Sequence, residues 1–199
     1  MENKEIEIKI GIFGSGGIGK STITIRFLKD IFVEDYDPTI TDIYIKKNDL
    51  NDKKIKFIIL DTALQEEHYD PFPNYVRETN IFVLIYSITY KESFEEIKYF
   101  DERIKRILDI EDKDYPKILI GNKSDLTMKR EVSIKEGKEL AKKLNCKFIE
   151  TSAKTGENIN QLFYETILLE IERLKTIEEE NLNQKKKKKK NKKGKCFLM

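Results

Sequence analysis

The residues best equipped for chemistry lie in four short segments. The first, Gly14, Ser15, Gly16, Gly17, Ile18, Gly19, Lys20 and Ser21, is a glycine-rich run closed by a lysine and a hydroxyl. Backbone N–H groups from Gly16 to Ser21 can converge on phosphate oxygens, because glycine permits close approach and unusual dihedrals. The run sits between an apolar strand pattern and a helical pattern, so a helix N-terminus adds a favourable dipole. Lys20 is placed to pair with the outer phosphates and the Ser21 hydroxyl to hold Mg²⁺, with Thr22 completing the stretch. Asp61 ends another strand and is a second Mg²⁺ candidate, acting through water. Thr62, Ala63 and Leu64 follow it beside the phosphates. Thr39 is placed to reach the same ion when a γ-phosphate is present.

A phosphate loop does not choose a base. Asn122, Lys123, Ser124 and Asp125 do so, because the Asp125 carboxylate can accept two hydrogen bonds from guanine, from its ring N–H and its exocyclic amine. Adenine has neither donor there, and a site built to bond a group rejects an analogue lacking it by roughly 10⁴–10⁵. The stem of Lys123 can pack on the base. The fourth segment, Thr151, Ser152, Ala153 and Lys154, offers the Ala153 N–H to the guanine oxygen.

These segments need a scaffold, and the chain supplies an alternation of strands and helices. Strands are expected at 6–13, 44–50, 54–60, 81–88, 117–121 and 147–150. The pair 44–50 and 54–60 should join around Asn51 and Asp52. Helices are expected at 21–29, 93–108, 133–144 and 158–180. The run 81–88 is continuously apolar, as in a strand buried on both faces. Such alternation predicts an α/β fold, a mainly parallel sheet with helices on both faces and ligand segments at its carboxyl edge.

With 199 residues, 39% hydrophobic and 37% charged, one domain with a short appendage is expected. The net charge of +2 hides an asymmetry. The last fifteen residues hold nine lysines and no acid, leaving 29 basic against 36 acidic residues in the body. A body near −7 argues against nucleic-acid binding, and a tail near +9 points to an anionic surface. Residues 1–180 read as the nucleotide-binding domain, and 181–199 as a lysine-rich tail, disordered until it meets a partner. The two cysteines suggest no disulfide framework, and Cys146 reads as a small core residue. With no apolar signal region and no apolar run of spanning length, an intracellular protein is expected.

On these four segments the chain resembles the Ras family of small GTPases over about residues 5 to 177, plus the terminal tetrapeptide. The resemblance implies a P-loop NTPase G domain, whose six-stranded sheet has one antiparallel strand. It also implies a monomeric switch that is on with GTP and off with GDP, served by effector, exchange and activating proteins. Phe32 matches the aromatic that packs on guanine. Tyr36, Asp37, Pro38, Thr39, Ile40, Thr41, Asp42, Ile43 and Tyr44 match the effector segment. Gln65 stands where the family orients the attacking water, beside Lys20 and Thr39 as catalytic candidates. Gly16 leaves room for an activator's arginine.

Three departures matter. Leu64 stands where the family has a glycine, adding a Cβ and a branched side chain beside the γ-phosphate. Strain of this kind costs about 1–3 kcal/mol, roughly a 5- to 150-fold change in rate. Hydrolysis is therefore expected to be impaired, and the rival reading is a guanine-nucleotide-binding scaffold that stays loaded with GTP. Pro71 and Pro73 should leave the segment from His68 to Pro73 extended or broken. Thr41 and Ile43 depart from the commonest effector residues. A nucleotide kinase sharing only the phosphate loop is a further alternative, disfavoured by Asp125 and the tail.

Cys196, Phe197, Leu198 and Met199 fit a prenylation signal, with terminal Met favouring farnesyl. One lipid anchors only marginally, so a second signal is needed. The lysines supply it, each worth roughly 1 kcal/mol near an anionic leaflet. The expectation is the cytoplasmic face of the plasma membrane.

Overall fold

The computed structural model describes residues 5–32, 42–50, 53–61, 72–110 and 114–195. Alternating isoleucines at 8, 10 and 12, all fully buried, build the central strand β1 (Ile6–Phe13). It pairs in parallel with β3 (Lys53–Asp61) on one side and β4 (Ile81–Ser87) on the other. β2 (Asp42–Leu50) runs antiparallel along β3, while β5 (Lys117–Asn122) and β6 (Lys147–Thr151) extend the sheet in parallel beyond β4. The order is β2-β3-β1-β4-β5-β6, mostly parallel with one antiparallel edge. Successive connections leave β1 toward β3 and then β4, so the strand order reverses at β1, where an α/β sheet opens a crevice at its carboxyl edge.

β4 shows why its sequence is apolar without a break. Ile81, Val83 and Ile85 face one core, shared with α1 (Lys20–Lys29) and α6 (Ile159–Lys195). Phe82, Leu84 and Tyr86 face the other, shared with α2 (Phe72–Glu78), α4 (Ile97–Leu108) and α5 (Ile134–Lys143). In the first core Phe27 of α1 stacks on Phe163 of α6 at 3.6 Å between ring centroids. In the second, Phe72 meets Phe13 edge-on at 5.3 Å. Burying a side chain of this size contributes about 1.5–3 kcal/mol. α5 begins with a capping box in which the Ser133 hydroxyl and the Glu136 carboxylate each satisfy the other's backbone N–H.

Four expectations need amendment. The helix expected over 93–108 is divided into α3 (Lys91–Glu95) and α4, joined by Glu96, which keeps right-handed dihedrals. Pro73 does not break its segment. It is the second residue of α2, within the first turn, where backbone N–H groups have no intrahelical acceptor and proline's missing donor costs nothing. The remainder of that segment, His68 to Pro71, and the expected Asn51-Asp52 turn lie outside the described residues. α6 does not end near Glu180 but continues to Lys195, through a stretch expected to be disordered. From Glu178 to Lys193 that stretch holds only Glu, Asn, Leu, Gln and Lys, none of which forces a stop as proline would. Cys146 is half-buried at the margin of the second core, and burial pushes its thiol up to about 11.

Candidate functional site

The fold gathers the phosphate loop and both base segments at the carboxyl edge of β1, β5 and β6. β1 delivers the loop, and α1 begins at Lys20. Gly17 (φ +71°) and Gly19 (φ +94°) adopt left-handed dihedrals that a Cβ would strain. At Gly19 the reason is also spatial, since a Cβ there would lie 2.5 Å from the Asn122 Nδ2. At Gly16 a Cβ would meet nothing within 4 Å, so space is open in front of the loop.

Lys20 folds back over its own loop. Its Nζ donates to the Gly14 carbonyl at 3.0 Å and the Ser15 carbonyl at 2.7 Å. Burial pushes its pKa down, and the negative charge of Asp61 works the other way. Asp61 is buried at the last position of β3, in register with Ile12, two residues before Gly14. Its carboxylate is therefore held beside the phosphate loop, close enough to act on Lys20, and Ser21 follows as the second residue of α1. That carboxylate and the Ser21 hydroxyl are hard oxygen donors of the type Mg²⁺ selects, so the donor set fits that ion.

The base segments are sewn to the loop by side chains. Asn122, 1% exposed at the end of β5, donates its Nδ2 to the Ile18 carbonyl at 2.8 Å. It accepts from the Thr151 hydroxyl at 3.3 Å. Lys123, with φ +66°, donates its Nζ to the Gly17 carbonyl at 2.8 Å. Burial lowers its pKa, opposed by Asp125. The Ser152 hydroxyl donates to Asp125 Oδ1 at 2.6 Å and accepts the Thr155 N–H at 3.1 Å. The two segments are further tied by the Ser124 N–H to the Thr151 carbonyl at 3.0 Å and the Ser124 hydroxyl to Glu157 at 2.7 Å.

A cavity of about 300 Å³ opens where these pieces meet. Gly17, Gly19 and Thr22 line its phosphate-loop side, Phe32 stands at the rim, and Asn122, Lys123, Asp125, Ala153 and Lys154 form the rest with Leu126. All but Leu126 were expected from sequence. Its signal was present as the apolar residue directly after Asp125. Ser124 and Thr151 were named within their segments but not as links between them, and Glu157 was missed, because each acts on a segment distant in sequence. In the effector segment, Ile43 is 59% exposed on the edge strand β2 and Tyr44 is half-buried. Thr39, with the effector residues from Tyr36 to Thr41, and Thr62, Ala63, Leu64, Gln65 and Cys196 lie outside the described residues.

Taken together, a phosphate loop on β1, a carboxylate on β3 and an Asn-Lys-x-Asp segment on β5 define a P-loop nucleotide-binding domain of the GTPase type. Residues 9–173 match the model of the Ras family. The chain is 41% identical over 193 residues to the Ras-like protein rasS of Dictyostelium discoideum, covering 96% of this chain and 98% of the relative. It is 44% identical over 160 residues to rasX of the same organism, covering 80% and 74%. With Ras-like protein 1 of Saccharomyces cerevisiae it shares 44% over 164 residues, 82% of this chain but 52% of that longer protein. The chain belongs to the Ras family, and so to the small GTPases, GTP hydrolases that serve as signalling switches.

Proposed function

We propose that this GTPase binds GTP and GDP with Mg²⁺, hydrolyses GTP slowly, and works from the cytoplasmic face of the plasma membrane. One observation carries the nucleotide reading. Asn122 and Lys123 reach across to carbonyls of the phosphate loop, so the base-selecting and phosphate-binding halves are tied directly to one another. Asp125 recognises guanine, held in aim by Ser152. Lys20 stabilises charge on the outer phosphates, and Phe32 covers the base.

Ser21, Asp61 and Thr39 would hold Mg²⁺. The bound ion would neutralise charge developing on the phosphate oxygens. Gln65 orients the water, and Leu64 beside it slows that step. The second reading, a GTP-holding scaffold, is favoured by the same Leu64. The tail supports membrane anchoring by composition, with Cys196 lipidated and the lysines drawn to anionic lipid. Among the described residues no helix is long and apolar enough to cross a membrane.

Single-turnover hydrolysis of preloaded GTP, beside Leu64→Gly, tests the reading. Wild-type turnover that glycine accelerates roughly 5- to 150-fold is the expected result. Equal rates would make Leu64 a tolerated residue. A silent wild type rescued by glycine would establish the scaffold instead.

A further inference from the structure

One contact of the phosphate loop belongs to none of the roles above. The hydroxyl of Ser15 donates to the carboxylate of Glu96, 81 residues away in sequence. Glu96 is the residue that joins α3 to α4, and it occupies the N-cap position of α4, where the helix dipole favours a negative side chain. Its backbone is fixed on both sides. Its N–H donates to the Glu92 carbonyl at 3.0 Å, and its carbonyl accepts the Phe100 N–H at 3.1 Å. α4 is in turn fixed against α2, since the Phe100 ring lies 6.1 Å from that of Phe72 and the Arg103 guanidinium sits 4.1 Å over the Phe72 ring.

At its other end the contact leads into the site. The Ser15 carbonyl is the nearer of the two acceptors that hold Lys20 Nζ, at 2.7 Å against 3.0 Å for Gly14. A linear connection follows, from the α4 backbone through the Glu96 carboxylate and the Ser15 hydroxyl to the Ser15 peptide and the Lys20 ammonium. Gly16 and Gly17, directly after Ser15, have no side chains to pack. The bond to Glu96 is therefore the anchor made by the loop's own side chain at this end, beside the Lys20 and Lys123 ammonium groups that hold its carbonyls.

We propose that Glu96 is a positioning residue for the phosphate loop. It holds Ser15, and through it the start of Lys20's approach to the phosphates, in register with α4 and α2. The proposal rests on the guanine-nucleotide reading above. It assigns the α3–α4 junction, whose Glu96 is not among the residues lining the cavity, an effect on nucleotide retention.

The test uses the full chain loaded with fluorescent GDP in excess Mg²⁺. Ser15→Ala and Glu96→Ala should each raise the GDP dissociation rate roughly five- to tenfold, the worth of one ordinary hydrogen bond, since this one is exposed to water. The double variant should dissociate no faster than the faster single, because both changes remove the same bond. Glu96→Gln keeps an acceptor oxygen and should restore most of the retention, and Glu95→Ala, one residue away, should match the wild type. The ³¹P resonance of the bound β-phosphate should shift alike in Ser15→Ala and Glu96→Ala, a change that loosened helix packing alone would not produce. Unchanged dissociation in both variants, or effects that multiply in the double variant, would overturn the role of Glu96. A wild type that retains no GDP would overturn the nucleotide reading itself, which separates the two failures.

Discussion

Alanine at Gly16, Gly17 and Gly19 should produce three different outcomes, ranked by geometry. Gly16 lies outside the positive-φ set, and an added Cβ meets nothing within 4 Å, so alanine there should raise the melting temperature by about 1–4 °C. Gly17 has the same open space but φ +71°, so alanine carries the left-handed penalty alone, about 1–2 kcal/mol. Gly19 combines φ +94° with a Cβ 2.5 Å from Asn122 Nδ2, an atom that is itself bonded to the Ile18 carbonyl at 2.8 Å. Displacing it leaves a buried donor and acceptor unmet, a further 1–3 kcal/mol or so.

The sum for Gly19→Ala is roughly 2–5 kcal/mol, which corresponds to a loss of roughly 30- to 5000-fold in GDP affinity if the loop keeps its shape only when bound. Should the strain fall on the folded protein instead, the same energy appears as a fall of roughly 2–4 °C in melting temperature per kcal/mol. Competition binding of fluorescent GDP and thermal melting, run on all three variants, measure both. Gly19→Ala binding GDP within twofold of wild type with an unchanged melting temperature would refute the reasoning. So would Gly16→Ala proving the least stable of the three.

Asp125→Asn replaces one of the two carboxylate oxygens that would face guanine's donors by an NH₂ group, itself a donor, and should weaken GDP binding roughly 30- to 1000-fold in the same competition assay. Burial works against ionisation of Asp101, but hydrogen bonds from Lys105, Tyr115 and Lys117 outweigh it and hold the carboxyl below its ordinary value. Its stabilisation is therefore present above about pH 4 and lost as the pH falls further. Asp101→Asn should lower stability at neutral pH by about 3 kcal/mol and show a shallower acid slope in melting experiments. Asp114 still meets Lys117 at 2.8 Å, which limits the damage. Cys196→Ser should release a fluorescent fusion from the plasma membrane; retention there would exclude prenylation as the anchor.

What could be read in the sequence was whatever is encoded locally. Each nucleotide segment is contiguous, and each follows a strand whose alternating or continuous apolar pattern marks its end, so the phosphate loop, Asp61 and the Asn122–Asp125 segment could be placed at one sheet edge. The six strands were legible for the same reason. What could not be read was contact between segments. Asn122 reaches Ile18 across 104 residues, Lys123 reaches Gly17 across 106, and Ser15 reaches Glu96 across 81. No residue type announces such a partner, since Asn and Ser satisfy themselves equally well in turns and Lys in water. The division of the 93–108 helix at Glu96 was invisible, because no glycine or proline marks it. Pro73 misled for the opposite reason. A strong local rule was applied without knowing whether the residue sat inside a helix or at its first turn.

Pro71 and Pro73 also give α2 a fixed origin. Prolonging it by a turn toward the residues before Phe72 would move Pro73 out of the first turn, where its ring meets the carbonyl four residues back and a donor is missing, at a cost of about 3 kcal/mol or more. The helix can thus shorten, tilt or translate as a body, but it cannot zip upstream. Any rearrangement that reaches α2 must therefore unwind it or move it as a body, and cannot take the form of new helix added at its N-terminus.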